Sequence, residues 1–168
     1  MKAIILGGFL LAGTCLCFGQ SIRPVAPEKG AYSVGFSLQY FKSQHSDSIT
    51  LFQVTPGYFV TDNLEVRLPF AVDRGFNADE IVYGLGLRWH FGHKGRLFDP
   101  FVGGIYEHAT AQGGFKEDFF GGVIGANYFV ANNVAVQGIL QIGSDRTRLP
   151  DESSTSLGFG FVVFFSGK

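Results

Sequence analysis

Large apolar residues fill every odd position from Leu157 to Phe165 (Leu157, Phe159, Phe161, Val163, Phe165), and Gly158 and Gly160 open the even set. Strand side chains alternate between two faces, so the run predicts a strand with one greasy face that ends in an aromatic close to the C-terminus. The alternation recurs upstream. Tyr32, Val34, Phe36, Leu38 and Tyr40 oppose Ala31, Ser33, Gly35, Ser37 and Gln39, while Leu64, Val66, Leu68, Phe70 and Val72 oppose Glu65, Arg67, Pro69 and Ala71. Ile81, Tyr83, Leu85, Leu87, Trp89 and Phe91 oppose Val82, Gly84, Gly86, Arg88 and His90, and Val134, Val136, Leu140 and Ile142 oppose Ala135, Gln137, Ile139 and Gln141. With turn-forming residues between the runs, eight segments follow: 30–41, 49–60, 64–72, 80–91, 99–108, 118–130, 134–143 and 155–165. The second, fifth and sixth alternate less cleanly, with Phe59, Phe101, Ile105, Phe119 and Phe129 on the phase that is elsewhere small or polar.

Each segment has about the ten residues with which a tilted strand crosses a bilayer. Two magnitudes decide which face meets what. A soluble exterior carries roughly 25–35% charged residues, yet the small phase is mostly Gly, Ser, Gln and Ala. The interior of an eight-stranded barrel is just wide enough to be filled by side chains, so the large apolar phase of every strand would not fit inside. That phase is expected to face lipid, around a closed ring whose strands satisfy one another's hydrogen bonds. The fold class expected is all-β, an eight-stranded antiparallel up-and-down transmembrane β-barrel over 30–165. Arg at Leu85 should then be costly and Ser at Gly84 mild.

The stretch YFVTDNLEV over 58–66 recurs 70 residues later as YFVANNVAV over 128–136. Each copy reads as a strand end, a tight turn and a strand start, with Asp and Asn suited to the turn. These turns and 92–98 are expected on the periplasmic side, with the connections near 42–48, 73–79, 109–117 and 144–154 outside. Two aromatic girdles follow: Tyr58, Trp89, Tyr128 and Phe165 at the periplasmic edge, Tyr40, Phe70, Tyr83 and Tyr106 at the other.

The N-terminus adds an address. Lys2, an apolar run from Ala3 to Leu11 and small residues up to Gly19 have the layout of a secretory signal peptide over 1–19. Cleavage would leave a short periplasmic tether over 20–29 and, beyond the barrel, a tail at 166–168. Lipidation at Cys15 is the alternative, with Thr14 a poor residue before it. Both cysteines fall within the removed segment, which leaves the mature barrel without a disulfide. Composition is unusual in having 24 Gly and 19 Phe, but 13 Lys plus Arg against 14 Asp plus Glu gives no basic field, and no nucleic-acid partner is expected.

With its Asp99-Pro-Phe-Val-Gly-Gly104 strand start, Asn-containing short turns and aromatic last strand, the chain resembles the small eight-stranded outer-membrane barrels of the OmpA/OmpX type, the outer membrane protein β-barrel domain family. The resemblance covers about 30–165. It implies a monomer in the bacterial outer membrane, in contact with lipid and lipopolysaccharide and delivered to the insertion machinery through its C-terminal strand. It implies no cofactor. The peptidoglycan-binding domain that larger members append is not expected here.

Candidate chemistry lies on the inward phase: Glu65, Arg67, Arg88, His90 and Glu107, with Gln39, Gln53, Asn127, Gln137 and Gln141. Buried charges are tolerated when paired. A charge network that plugs the lumen is expected, with Glu65 level with Arg88, and a structural or surface-interaction role. The alternative is a narrow gated pore for water, ions or small solutes. A lipid A-modifying enzyme is the third reading, resting on His108 and Thr110 on one strand face with Glu117 beyond as the acid. The ordinary reading of that trio is a strand end. His45, His90, His93 and His108 lack metal-ligand spacing, and the glycines alternate along strands rather than precede a helix, so no nucleotide loop is expected.

Overall fold

The computed structural model describes residues 22–24, 28–43, 49–74, 79–92, 95–111, 116–145 and 152–167. Its strands are β1 (Tyr32–Ser43), β2 (Ile49–Phe59), β3 (Leu64–Arg67), β4 (Phe70–Arg74), β5 (Asp79–His90), β6 (Phe98–Ala111), β7 (Lys116–Phe129), β8 (Val134–Asp145) and β9 (Glu152–Phe165). All pairings are antiparallel between spans that follow one another in the chain, and β1 also pairs with β9, which closes the ring. β3 and β4 are halves of one crossing between β2 and β5. The nine strands therefore make eight spans, as the alternation predicts.

The expected segment 64–72 is interrupted at Leu68-Pro69 because Pro69 has no N–H to donate to a ladder. Closure survives, since Leu68 N donates to Pro56 O (2.9 Å) and Gly84 N to Pro69 O (3.0 Å). Away from the short turns, most strands run a few residues further than the hydrophobic pattern: β6 reaches Ala111, β8 reaches Asp145, and β9 begins at Glu152. Those ends carry no large apolar residue, and ladder hydrogen bonding continues there after the apolar face has stopped. The long connections, the segment 1–19 and the Cys15 alternative lie outside the described residues.

The two copies of the repeat fold alike. Val60 N donates to Leu64 O (3.0 Å) and Val130 N to Val134 O (2.9 Å), each closing a short turn. Gly30, at φ +89°, turns the chain into β1 in a conformation that a Cβ would strain.

Residues of the large apolar phase, such as Leu38, Leu85, Leu87, Phe159 and Phe161, lie bare on the outside, Phe159 at 62% exposure. The opposite phase is buried inside. Phe59, Phe101, Phe119 and Phe129 of the less regular segments are buried and Ile105 half-buried, all on the inner side. Their rings fit because glycines face them: a Cβ at Gly125 would strike the Phe101 ring, and one at Gly143 the Phe119 ring.

Candidate functional site

The lumen collects most of the candidate residues, because every strand delivers its inward phase there. At the short-turn end, Phe59, Phe129, Phe164, Val162, Ala31 and Ala135 form an apolar plug, with Phe164 5.3 Å from the Phe129 ring and 6.3 Å from that of Phe59. Ile22 packs against it. The two repeated turns hold this N-terminal stretch: Asp62 Oδ1 accepts from Lys29 N and Asn132 Oδ1 from Arg23 N, both at 2.9 Å. The expected tether, where described, is thus seated against the barrel end.

Above the plug lies a continuous polar band. The His90 ring lies between those of Phe59 (5.2 Å) and Phe101 (5.6 Å), tilted against both. Its Nδ1 meets Asp99 Oδ2 at 2.8 Å and its Nε2 meets Glu65 Oε2 at 3.1 Å. Glu65 also accepts from Ser33 Oγ and lies 3.7 Å from Arg67 Nε, while Arg67 Nη2 donates to Thr55 O at 3.3 Å. On the other side Asp99 accepts from Gly92 N and Asn127 Nδ2, both at 3.0 Å, and Asn127 Oδ1 accepts from Gln137 Nε2 at 2.7 Å. The band touches seven of the eight spans, from Ser33 on β1 to Gln137 on β8. Both carboxylates of the band are met by nitrogen or hydroxyl groups, as buried charges must be.

Arg88 comes next, its guanidinium 4.4 Å over the Phe101 ring, beside the Phe101, Val123 and Ile139 cluster. Toward the long-loop end the filling is softer: Gln39, Gln53 and Glu107 in one chain, Gln141 and Ser156 in another, and a small cluster of Leu51, Ala71 and Val82.

All five expected lumen charges are buried. Glu65 is opposite Arg88 in the ladder, as the sequence predicts. The ion pair expected between them is corrected, for Glu65 turns to Arg67 and His90 and Arg88 turns to an aromatic face. Asp99 and Phe164 are members that the sequence reading passed over. Asp99 lies two residues before inward Phe101 and could have been found by extending that phase; Phe164 sits on the less conspicuous face of the last strand.

Of the girdle residues, Tyr58, Trp89, Tyr128 and Phe165 are exposed near the short-turn end, where Tyr32 joins them 5.1 Å from Tyr58. Tyr40, Phe70 and Tyr83 are exposed further toward the long loops, with Phe70 opposite Tyr83. Tyr106 is half-buried beside Phe120 (4.7 Å), and its hydroxyl donates to Asp118 Oδ1 at 2.8 Å.

His108 stands on the outer face, with Nδ1 2.7 Å from Asp118 Oδ1. Its acid is Asp118 rather than Glu117, because the β6–β7 register sets His108 opposite Asp118 and Glu117 opposite Ala109 on the other face. Thr110 is opposite Ile81 and Lys116. An imidazole oriented by a carboxylate is half of a hydrolytic arrangement; no hydrogen bond joins it to a nucleophile among the described residues. Nor do His, Cys, Asp and Glu gather there into a metal site; the carboxylates around His90 occupy opposite edges of its ring.

No protein-family model matches the chain, and no curated protein sequence matches it. Solved structures do. The N-terminal β-barrel domain of Pseudomonas aeruginosa OprF is similar at a TM-score of 0.63 and 17% identity, over 82% of this chain and 98% of that one. OprG of Pseudomonas aeruginosa gives 0.59 and 14% (82% and 97%), and neisserial surface protein A 0.58 and 18% (82% and 98%). At such identities the likeness is one of fold, and with the closed ring and bare apolar belt it makes this chain a small eight-stranded β-barrel of the bacterial outer-membrane type.

Proposed function

We propose that this protein is a monomeric barrel of the bacterial outer membrane that keeps its lumen shut and serves the envelope structurally, with its long loops as the surface for interaction. One observation carries the reading: the Ser33–Glu65–His90–Asp99–Asn127–Gln137 band spans the bore directly above an aromatic plug, so both polar and apolar groups oppose a continuous water path. Ring closure leaves no strand edge open to a second copy. The apolar belt supports contact with acyl chains and lipopolysaccharide, the short turns face the periplasm, and the aromatic end of β9 addresses the insertion machinery. His108 and Asp118 have a structural role at the membrane edge rather than a catalytic one.

Single-channel recording of the refolded chain in planar bilayers tests this, with no unitary current expected. Stable openings in the unmodified protein would establish the narrow pore instead. In that case Glu65→Gln, which weakens the band, would raise the conductance while barely changing stability. Lipid A deacylation that His108→Ala abolishes would establish the enzyme.

A further inference from the structure

The two copies of the repeated turn hold the N-terminal stretch in the same way, yet their chemistry differs. Asp62 and Asn132 stand at the same place in the repeat, and each accepts a backbone N–H, from Lys29 and Arg23 respectively, at 2.9 Å. Asn63 O accepts from His90 N and Asn133 O from Phe164 N, both at 2.8 Å, so the strand beyond each turn is fixed alike. An amide at 132 is therefore enough for the clasp. The first turn carries more. It has Thr61 where the second has Ala131 and a full carboxylate where the second has an amide; on the neighbouring strand Trp89 is opposite Leu64, where Val163 is opposite Val134.

These added groups surround one cleft. Lys29, Thr61, Asp62, Asn63 and Trp89 line a space of about 440 Å³, within the roughly 300–1,000 Å³ of small-molecule clefts. Its walls are pinned before anything enters: Asp62 holds Lys29 N, Gly30 N donates to Phe59 O at 2.8 Å, and Thr61 Oγ1 accepts from Leu64 N at 3.0 Å. Trp89 belongs to the outer belt, 45% exposed, and the other four residues to the rim beside it. The cleft therefore lies at the level where acyl chains give way to headgroups. It offers a cation, an anion and an aromatic face, and among the described residues the two charges are not paired with each other. A lysine ammonium suits a phosphate. A carboxylate and a Trp face suit an ammonium, Trp being the best of the rings for a cation. We propose that this cleft binds the headgroup of a zwitterionic phospholipid of the ethanolamine type, its phosphate toward Lys29 and its ammonium toward Asp62 and Trp89, with the acyl chains along the belt.

The inference rests on the reading that the short turns face the periplasm, the side on which phospholipid lines the outer membrane. Its test is independent of that reading, because in micelles the cleft is open whichever way the barrel faces and whether or not the lumen conducts. Trp89 is the chain's single tryptophan, so its emission reports this cleft alone. The refolded full chain in nonionic detergent is titrated with dihexanoyl phosphatidylethanolamine, with dihexanoyl phosphatidylglycerol, which lacks the ammonium, and with free phosphoethanolamine. A saturable change in emission is expected with the ethanolamine lipid, and binding about fivefold weaker with the glycerol lipid. Lys29→Gln keeps the backbone N–H of the clasp and should weaken the ethanolamine lipid about fivefold. Asp62→Asn keeps an acceptor for the clasp, as at 132, and should bring the two lipids to about equal affinity. Arg23→Gln, at the second clasp, should change nothing. Equal binding of the two lipids by the parent protein would overturn the site, as would equal weakening by Lys29→Gln and Arg23→Gln. Free phosphoethanolamine binding as tightly as the lipid would overturn the membrane source. If a variant does not refold, as judged by gel mobility before and after boiling, the comparison of ligands on the parent protein decides.

Discussion

The two halves of the lumen solve the same problem differently. Near the short turns, full charges are used and each is held: Glu65 by Arg67, His90 and Ser33, Asp99 by His90, Asn127 and a backbone N–H, all over a floor of three Phe rings. Near the long loops the barrel is filled mainly by amides and hydroxyls; unmet polar atoms occur in both halves, Arg67 Nε and Arg88 Nη1 in the first and Gln39 Oε1 and Gln141 Nε2 in the second. Charges that are buried and paired fix one arrangement, because stranding any one of them is expensive. Leaving a neutral amide unpaired costs less than stranding a charge. The short-turn half is therefore expected to set both stability and impermeability, and the other half to tolerate change.

The largest effect expected follows directly. Glu65→Leu leaves Arg67 and His90 facing each other's surroundings without their shared carboxylate, and should cost about 3–5 kcal/mol in urea unfolding from lipid vesicles. Gln39→Leu, in the softer half, unpairs only a neutral carbonyl on Gln53 and should cost about 1–3 kcal/mol at most. Equal costs would erase the distinction between the halves.

Lipid is expected to surround both halves alike. Leu85 lies near mid-strand and half exposed on the outer face. Leu85→Arg should cost about 2–4 kcal/mol at membrane depth, read in the same unfolding assay. A neutral result would mean that this face meets water.

A smaller, sharper measurement separates ladder position from contact. Glu65 is opposite Arg88 on the neighbouring strand, yet its ion pairs run to Arg67 and His90. In double-mutant cycles, Glu65→Gln with Arg67→Met should show a coupling of about 1–3 kcal/mol, and Glu65→Gln with Arg88→Met one below about 0.5 kcal/mol. The reverse ranking would return Arg88 to the band and break the account of the short-turn half.

How much of this the sequence could show depends on what period two encodes. It encodes which face a residue takes, so the belt from Tyr32 to Phe165, the closed ring and the burial of Glu65, Arg88 and His90 were all legible. It even placed Phe59, Phe101 and Phe129 inside, where their hydrophobicity looked like an error of phase. It does not encode which way an inward side chain leans. Arg88 chooses the Phe101 ring, and His90 chooses Asp99, through rotamers that only the packed lumen decides. Nor does it fix cross-strand register, which is why Asp118 and not Glu117 meets His108. The plug residue Phe164 was hidden by a stronger signal on the opposite face of the same strand.

The glycines give the smallest expected effect and a reversal of the sequence-based expectation. Gly84 was expected to accept Ser readily, but a Cβ there would run into the Tyr106 carbonyl oxygen and crowd Glu107 of the neighbouring strand. That contact is with backbone, which cannot step aside, so even Gly84→Ala should destabilise by about 1–3 kcal/mol. Gly104, on the outer face, has nothing nearer to a Cβ than the Gly121 carbonyl oxygen at 3.8 Å. Its φ is not in the left-handed region. Gly104→Ala therefore loses no fit and reduces the freedom of the unfolded chain, for a gain of about 0.4–1 kcal/mol. Unfolding midpoints of the two alanine variants should fall on opposite sides of the parent. If both fall below it, the outside of the barrel at Gly104 is in close contact with something, and the belt is not the plain lipid-facing surface described for both halves.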